Sequence, residues 1–281
     1  MATLPDELAP LLSHAADQDG PVVFLTGAGI SAESGIPTFR GKEGYWQVGS
    51  RNYHPQEMAT HSAFVRMPDE VWAWYLYRRG VCHGADPNAA HQAVAELEQK
   101  LDDRFVLITQ NVDGLHLRAG NSLERTYQIH GNIDFVRCGA DCCTDMVPMP
   151  EGIDLDWDKG RPVTDHERGI LRCPRCGALA RPHVLWFDEC YDEARFRFES
   201  SIQTAVSAAL LVVVGTAGQT NLPLQVGELV ARRGAPMVVV NPDPSPFTRF
   251  AQQSERGLFI QGTAGEYVPP LCDEIVARLG S

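Results

Sequence analysis

The chain has 281 residues, which is enough for one large domain, or one large and one small domain, with an ample core. Its apolar content is typical of a globular protein, and its formal net charge of -12 argues against a protein that binds the nucleic-acid backbone through a basic surface. No apolar run is long enough to cross a bilayer, and residues 1–20 lack the basic and apolar regions of a signal peptide. These features predict a cytoplasmic protein that binds neither nucleic acid nor membranes.

Five short apolar runs alternate with segments of helical periodicity. Such runs of Val, Ile and Leu are typical of parallel strands that are covered on both faces. The helical segments between them include residues 88–101, 198–210 and 225–233. This alternation predicts an α/β fold with a doubly wound, parallel, Rossmann-like sheet. The predicted strands span residues 22–25, 105–108, 210–214, 237–240 and 258–260.

Glycine, amide or small polar residues follow every one of these runs. Because ligands bind beyond the carboxyl ends of the strands in a doubly wound sheet, this edge is predicted to hold a nucleotide. The loop 27–35 (GAGISAESG) has glycines that let the backbone approach a phosphate, and the following helix offers free N–H groups. Its glycine spacing is not GxGxxG, so on the glycines alone a tight strand-to-helix turn is an equal alternative.

Two stretches interrupt the alternation and predict a smaller domain inserted into the sheet domain. Residues 45–84 are rich in Trp, Tyr and His and have the composition of a helical insertion, whereas residues 136–181 contain clustered cysteines and an acidic loop. The larger domain is then predicted to comprise residues 1–44, 85–135 and 182–281, with a cleft between the two domains.

An ordered set of short motifs resembles the sirtuin family over residues 8–279. The motifs are GAGISAESGIPTFRG at 27–41, QNVD at 110–113, HGN at 130–132, paired cysteines, the segment 181–189, Gly215-Thr216 and Asn241. The resemblance implies an NAD-dependent protein-lysine deacylase that consumes NAD and releases nicotinamide, free lysine and acylated ADP-ribose. Its partners would be NAD and acyl-lysine proteins or peptides, and we expect the enzyme to be a monomer.

The resemblance assigns catalysis to His130 and Asn111. The ordinary pKa of a histidine lies near neutrality, which makes it a natural general base at pH 7. In sirtuins the matching histidine deprotonates a ribose hydroxyl after the acyl oxygen has attacked the anomeric carbon. Asn111 would face the nicotinamide ribose.

The NAD site is likewise assigned by resemblance. The loop 110–113 would face the nicotinamide ribose and carboxamide, Phe39 would cover the nicotinamide ring, and Arg40 would lie near the phosphates. Asn241 and Ala264 would face the adenosine. The full predicted set is Gly27, Ala28, Gly29, Ser31, Ala32, Phe39, Arg40, Gln110, Asn111, Val112, Asp113, Gly215, Thr216, Ala217, Asn241 and Ala264.

Eight cysteines are present, and five of them lie between residues 138 and 176. Cys173 and Cys176 form a CxxC knuckle followed by glycine, a pattern typical of metal ligands. Four thiolates close a tetrahedral site and leave no position for water, so structural zinc is predicted. The partner of Cys138 is either Cys142 or Cys143. In sirtuins the two cysteines of this pair are often separated by two residues. A gap of four residues, as between Cys138 and Cys143, also occurs, and we favour Cys143.

Tyr75 and Arg78 are three residues apart on a predicted helix and share one of its faces. Without context this pair is typical of a core aromatic residue beside a surface arginine. At this place, however, Tyr-x-x-Arg resembles the feature of sirtuins that prefer acidic acyl groups, in which a hydroxyl and a guanidinium bind a carboxylate. Succinyl-, malonyl- or glutaryl-lysine is therefore the predicted substrate class, beside acetyl-lysine.

The segment 181–189 resembles the family's peptide-docking strand, and Leu185, Phe187 and Asp188 are predicted to contact the substrate peptide. Asp188 stands where the family has Gly, which tolerates positive φ and close approach better than Asp does. Ala217 stands where the family has Ser, so one hydroxyl is missing on the cofactor side.

Two other reaction outcomes remain open for the same pocket. An NAD glycohydrolase or an ADP-ribosyltransferase would release nicotinamide without transferring an acyl group, and only the requirement for an acyl-peptide separates them from a deacylase. A dehydrogenase is disfavoured by the glycine spacing, and a non-catalytic NAD sensor by the presence of both His130 and Asn111.

Overall fold

The computed structural model describes residues 2–36, 46–48 and 51–280. The strands are β1 (Val22–Thr26), β2 (Trp46–Val48), β3 (Arg51–Tyr53), β4 (Phe105–Thr109), β5 (Thr126–Gln128), β6 (Gly131–Cys138), β7 (Met146–Pro148), β8 (Ala180–Val184), β9 (Leu210–Val214), β10 (Met237–Asn241) and β11 (Gly257–Gln261). The α-helices are α1 (Leu8–Ala16), α2 (Pro55–Met58), α3 (His61–Arg66), α4 (Pro68–His83), α5 (Ala89–Leu101), α6 (Leu115–Ala119), α7 (Asp165–Ile170), α8 (Glu193–Phe196), α9 (Phe198–Ser207), α10 (Asn221–Arg232), α11 (Pro246–Gln253) and α12 (Ala264–Leu279). Within these described ranges, no helix has both the length and the apolar composition that a bilayer span requires.

Six strands form a parallel sheet in the order β11-β10-β9-β1-β4-β5. At its centre, Val22 of β1 pairs with Phe105 of β4 on one side and with Leu210 of β9 on the other. The predicted α/β fold with a doubly wound parallel sheet is confirmed, and all five predicted strands are present. The edge strand β5 was not predicted, because three residues carry too little periodicity to be recognised.

Alternate residues of β1 face opposite sides of the sheet, and helices cover both sides. Val22 and Phe24 join a core formed with α1, α5 and α12, whereas Val23 and Leu25 join a core formed with α9, α10 and α11. Burial on both faces explains why β1 is a continuous apolar run rather than an alternating one. The helices leave the carboxyl edge of the strands to the loops that carry the predicted site.

A separate antiparallel sheet, in the order β7-β6-β8, packs with α4 around a second core that includes Trp72, Trp157 and Trp186. Helices α2, α3 and α4 occupy the stretch that was predicted to be a helical insertion. The division into a larger and a smaller domain stays a prediction. Strands β6 and β8 each run across one of the boundaries drawn for it, at residues 135 and 181.

Candidate active site

The loops after β1 and β9 contact each other backbone to backbone at the carboxyl edge of the sheet. The Gly29 N–H donates to the Gly215 carbonyl at 2.8 Å, and a Cβ on Gly29 would lie 2.6 Å from Gly215 Cα. A Cβ on Gly27 would lie 2.7 Å from Thr216 Cβ. Gly215 itself has a φ of 61°, which glycine adopts without strain. The predicted glycines are therefore needed to bring these two loops together.

Side chains of the first and second motifs form one hydrogen-bonded group. Asn111 Nδ2 donates to Ser31 Oγ at 3.0 Å and to the Gly27 carbonyl at 3.1 Å. Ser31 Oγ in turn donates to Asp113 Oδ2 at 2.7 Å. Asp113 is buried, and this burial raises the pKa of its carboxyl. The structure thus brings together predicted NAD residues that are separated by more than seventy positions in sequence.

The imidazole of His130 lies against the main chain of the second motif. His130 Nδ1 is 3.0 Å from the Gln110 carbonyl oxygen. Because a carbonyl oxygen only accepts hydrogen bonds, Nδ1 carries the proton and Nε2 carries the lone pair of the neutral ring. Burial lowers the pKa of His130 to about 4, so the ring is neutral at pH 7 and can accept a proton at Nε2.

Two side chains that were not predicted as site residues contact His130 or the second motif beside it. The Tyr191 hydroxyl lies 2.8 Å from His130 Nε2. Thr220 Oγ1 donates to Gln110 Oε1 at 3.2 Å, and Gln110 Nε2 donates to Thr216 Oγ1 at 2.9 Å. Thr220 is the residue just before α10 and lies outside the motifs quoted from the sequence. No motif marks Tyr191.

The adenosine side of the predicted site lies at the ends of β10 and β11. Asn241 is the last residue of β10, and its Nδ2 donates to the Asp243 carbonyl at 2.6 Å. Ala264 is the buried first residue of α12. Phe39 and Arg40 lie outside the described residues. Of the other predicted residues, Ala28 and Ala32 follow β1, Val112 follows β4 and Ala217 follows β9.

Glu33 joins the β1 loop to the first turn of α12. Its carboxylate accepts hydrogen bonds from the Gly265 N–H at 2.5 Å and from Thr263 Oγ1 at 3.1 Å. A carboxylate at a helix N-terminus satisfies free N–H groups and is favoured by the helix dipole. This contact holds Ala264 beside the loop that contains the predicted phosphate-side glycines, and the sequence alone did not indicate it.

Four cysteine sulfurs cluster beside the antiparallel sheet. The Sγ atoms of Cys138, Cys142, Cys173 and Cys176 all lie within 4.8 Å of one another. Sulfurs around a tetrahedral zinc ion are about 3.8 Å apart, so this donor set fits the metal. The N–H groups of Cys176 and Arg175 lower the pKa of Cys173, which favours a thiolate on that residue.

The preference for Cys143 over Cys142 as the fourth ligand was wrong. Cys142 Sγ lies 3.6 Å from Cys173 Sγ and belongs to the cluster, whereas Cys143 does not. A tight turn after β6 is the reason: the Asp141 N–H donates to the Cys138 carbonyl at 3.4 Å, and Asp141 has a φ of 49°. This turn returns the chain toward the cluster one residue earlier than Cys143.

The sequence is similar to those of known proteins. The model of the Sir2 family matches residues 27–221. The chain belongs to the Sir2 family. An NAD-dependent protein deacylase of Leptospira interrogans is 39% identical over 261 residues, which cover 92% of this chain and 95% of the relative. One from Thermus thermophilus is 40% identical over 246 residues, which cover 86% and 87% of the two chains.

Solved Sir2 structures share the fold over nearly the full length. A Sir2 homologue in complex with NAD superposes with a TM-score of 0.77 at 34% identity, covering 99% of this chain and 96% of the other. A Sir2 protein with a p53 peptide and NAD+ superposes with a TM-score of 0.70 at 25% identity, covering 97% and 98%. The Rossmann-like architecture is therefore that of the Sir2 fold.

Tyr75 and Arg78, which were predicted to contact the acyl group, lie on α4. Tyr75 is 3% exposed, and its hydroxyl oxygen accepts a hydrogen bond from Trp186 Nε1 at 2.8 Å. The Arg78 guanidinium lies 5.3 Å from the centre of the Trp74 ring. Burial raises the pKa of Tyr75, and the charge of Arg78 acts against this rise. The same charge also opposes the raised pKa of Asp113, so Arg78 lies within electrostatic reach of both residues.

The segment after β8 is anchored beside His130, the predicted catalytic base. The Leu185 N–H donates to the His130 carbonyl at 2.9 Å, and the Phe187 N–H donates to the Ala59 carbonyl at 2.9 Å. The Phe187 side chain is 57% exposed. Asp188 has no positive φ, so this residue fits here without the backbone strain that its substitution for glycine suggested. Two backbone hydrogen bonds thus attach the predicted docking segment to the residues around His130.

Proposed function

We propose that this chain is an NAD-dependent protein-lysine deacylase in which His130 is the general base. The proposal rests on the tautomer and the protonation state of the His130 imidazole. Its Nδ1 proton is directed to the Gln110 carbonyl, which leaves the lone pair on Nε2, and the low pKa keeps that lone pair unprotonated at pH 7. Curated relatives named NAD-dependent protein deacylases support the same activity.

The edge of the sheet around His130 suits a dinucleotide. The loops after β1 and β9 meet without side chains between them, and the polar side chains of Ser31, Asn111 and Asp113 form one group beside the closely packed glycines. NAD, when bound, supplies the ribose that receives the acyl group and the nicotinamide that leaves. The Sir2 homologue solved with NAD, which shares this fold, supports binding at the same edge.

Residues of this chain bind the ribose and the carboxamide and accept the proton. Asn111 offers its amide to the ribose, and Asp113 with Val112 receives the nicotinamide carboxamide. His130 Nε2 accepts the proton of a ribose hydroxyl, and its Nδ1–H bond to Gln110 holds the ring in the tautomer that this step requires. That bond is made to the main-chain carbonyl and therefore does not use the side chain at position 110.

Cys138, Cys142, Cys173 and Cys176 would hold a structural zinc ion. Four thiolates complete a tetrahedral shell, so the ion would have no open position at which to bind water or substrate. Its contribution is to the folding of the segment between β6 and β8 rather than to the chemical step.

The acyl group is proposed to be acidic, with succinyl-, malonyl- and glutaryl-lysine as the preferred class beside acetyl-lysine. Tyr75 is held in place by the hydrogen bond that its hydroxyl oxygen accepts from Trp186, and a phenol O–H can donate to a carboxylate. Arg78 lies about one helical turn further along. Its positive charge acts on the carboxyl group of Asp113, the residue proposed to bind the nicotinamide carboxamide. A guanidinium and a phenol on one helix face form a suitable pair for a carboxylate at the end of an acyl chain.

The substrate is proposed to be a protein or peptide that adds along the segment 185–188. The Sir2 protein with a p53 peptide and NAD+ is the comparison that supports a peptide ligand. The exposed ring of Phe187 and the proximity of Leu185 to the His130 main chain would direct the acyl-lysine toward the base.

Nicotinamide release measured with and without an acyl-lysine peptide tests the proposed function. Release that requires the peptide, together with acylated ADP-ribose among the products, is expected of a deacylase. In His130→Ala, deacylation is expected to be lost while NAD binding, measured by calorimetry, largely survives. Exposed His166→Ala is the matched control and should retain turnover. Nicotinamide release that is independent of peptide would identify an NAD glycohydrolase or an ADP-ribosyltransferase instead.

A further inference from the structure

The hydroxyl of Tyr191 contacts the basic nitrogen of His130, Nε2. Tyr191 lies between β8 and α8, and its hydroxyl oxygen is 2.8 Å from His130 Nε2. Its ring stacks on Phe198 with centroids 6.3 Å apart and planes inclined by 25°. The phenol is therefore held at the histidine by packing as well as by its hydrogen bond.

The direction of this hydrogen bond follows from the other side of the ring. Gln110 offers a carbonyl oxygen to Nδ1, so Nδ1 keeps the proton and Nε2 has only a lone pair. The Tyr191 O–H must then donate to Nε2. Burial raises the pKa of Tyr191 to about 12, so the phenol keeps its proton throughout the neutral range.

An imidazole nitrogen has a single lone pair in the plane of the ring, and it accepts one strong hydrogen bond. A ribose hydroxyl that gives its proton to Nε2 needs the same lone pair and the same direction. The two donors, the phenol and the ribose hydroxyl, therefore compete for one site.

We propose that Tyr191 caps the lone pair of His130 in the ligand-free protein, and that the ribose hydroxyl must displace the phenol before His130 can act as a base. This inference rests on the proposed role of His130. It makes Tyr191 a positioning residue, which keeps the imidazole in the correct tautomer and occupies its basic nitrogen until the nucleotide is in place.

Thr220 offers the displaced phenol another hydrogen-bond partner. The Thr220 hydroxyl lies near enough to Tyr191 to act against the rise in the pKa of its phenol, and it is itself bonded to Gln110 Oε1 at 3.2 Å. A small rotation of the phenol from His130 toward Thr220 would free Nε2 without exposing a buried polar group. The cost of uncapping is then the exchange of one hydrogen bond for another.

Calorimetric titration with ADP-ribose tests the cap, because this probe carries the ribose hydroxyls and needs no turnover. In Tyr191→Phe the competitor is removed while the ring and its packing on Phe198 remain. ADP-ribose is expected to bind about two- to tenfold more tightly, which is the effect of one net hydrogen bond. The KM for NAD should fall in parallel, with kcat not reduced. A purely structural role of Tyr191 would instead weaken binding.

Two further variants make the result specific. In a His130→Ala background, Tyr191→Phe should give no gain in affinity, because the shared lone pair is gone. Tyr127→Phe, on a neighbouring strand, is the matched control and should leave ADP-ribose binding unchanged. Unchanged or weaker binding in Tyr191→Phe, or a gain that persists without His130, overturns the cap. Neither result touches the proposed function, which fails if His130→Ala retains deacylation or if nicotinamide release does not require an acyl-lysine peptide.

Discussion

Asp188 and His61 join the predicted docking segment to the first turn of α3. The Asp188 carboxylate accepts the His61 N–H at 2.7 Å and the Ser62 N–H at 3.1 Å. Thr60, the N-cap of the same helix, accepts the Ala63 N–H at 3.0 Å through its hydroxyl. Three of the N–H groups that a helix start leaves unpaired are thus satisfied, two of them by the residue that departs from the family pattern.

Replacing Asp188 with Ala is expected to lower the free energy of unfolding by about 1 kcal/mol, because a capping carboxylate and its interaction with the helix dipole are lost. The KM for an acyl-peptide should rise, since the segment 185–188 loses one of its anchors. Chemical denaturation and peptide titration measure the two effects. Asp188→Asn, which retains one acceptor oxygen, should be intermediate, and exposed Asp156→Ala should match the unsubstituted protein.

Cys142→Ser and Cys143→Ser form a matched pair for the metal site. Loss of Cys142 removes a ligand from the cluster and should reduce bound zinc and Tm together. Cys143→Ser should keep both close to the values of the unsubstituted protein. Elemental analysis of purified protein and a thermal melt provide the measurements. Zinc loss in the Cys143 variant alone would reverse the ligand assignment.

The acyl preference can be read from a ratio of rates. Tyr75→Phe and Arg78→Met should each lower the ratio of desuccinylation to deacetylation, by about tenfold or more for Arg78, because a charge-assisted hydrogen bond to the carboxylate is lost. Rates on peptides of one sequence that differ only in the acyl group measure this ratio. Tyr77→Phe, two residues from Tyr75 on the same helix, is the control. An unchanged ratio of desuccinylation to deacetylation in both variants would contradict the proposed preference for acidic acyl groups.

Stability is expected to fall as the pH drops from 7 toward 4. Burial lowers the pKa of His91 and of His183 to about 4, so both are neutral in the fold, whereas the unfolded chain binds protons from about pH 6.5 downward. Between these values the unfolded state holds more protons, so acid favours unfolding by up to about 1.4 kcal/mol per pH unit for each histidine. Above pH 7 this contribution is constant.

Urea denaturation at pH 7.5, 6.0 and 5.0 measures that slope. His183→Gln should make it shallower, because one of the buried histidines no longer titrates. His166→Gln, a substitution at an exposed position, is the control and should leave the slope as it was. If stability falls with pH as steeply in the His183 variant as in the unsubstituted protein, the assignment of a buried, neutral ring at that position is contradicted.

The sheet and the order of its loops were predictable because their signals are local. Runs such as 22–25 are buried on both faces, so their apolar character is continuous and can be read from neighbouring residues alone. Parallel connection then brings the ends of β1, β4 and β9 to the same edge, which places the first two motifs together without knowledge of their contacts. The CxxC knuckle is local in the same sense.

Choices between nearly equivalent partners depended on long-range packing. A turn at Asp141 brings Cys142 rather than Cys143 into the cluster, although the two residues are adjacent in sequence. Tyr191 reaches His130 from 61 positions away, and Asp188 reaches His61 from 127. No periodicity or spacing encodes such pairs, because they exist only once α3, β6 and β8 have packed against one another. Local patterns therefore specify the elements and the edge where chemistry occurs, while tertiary packing decides which individual atoms meet there.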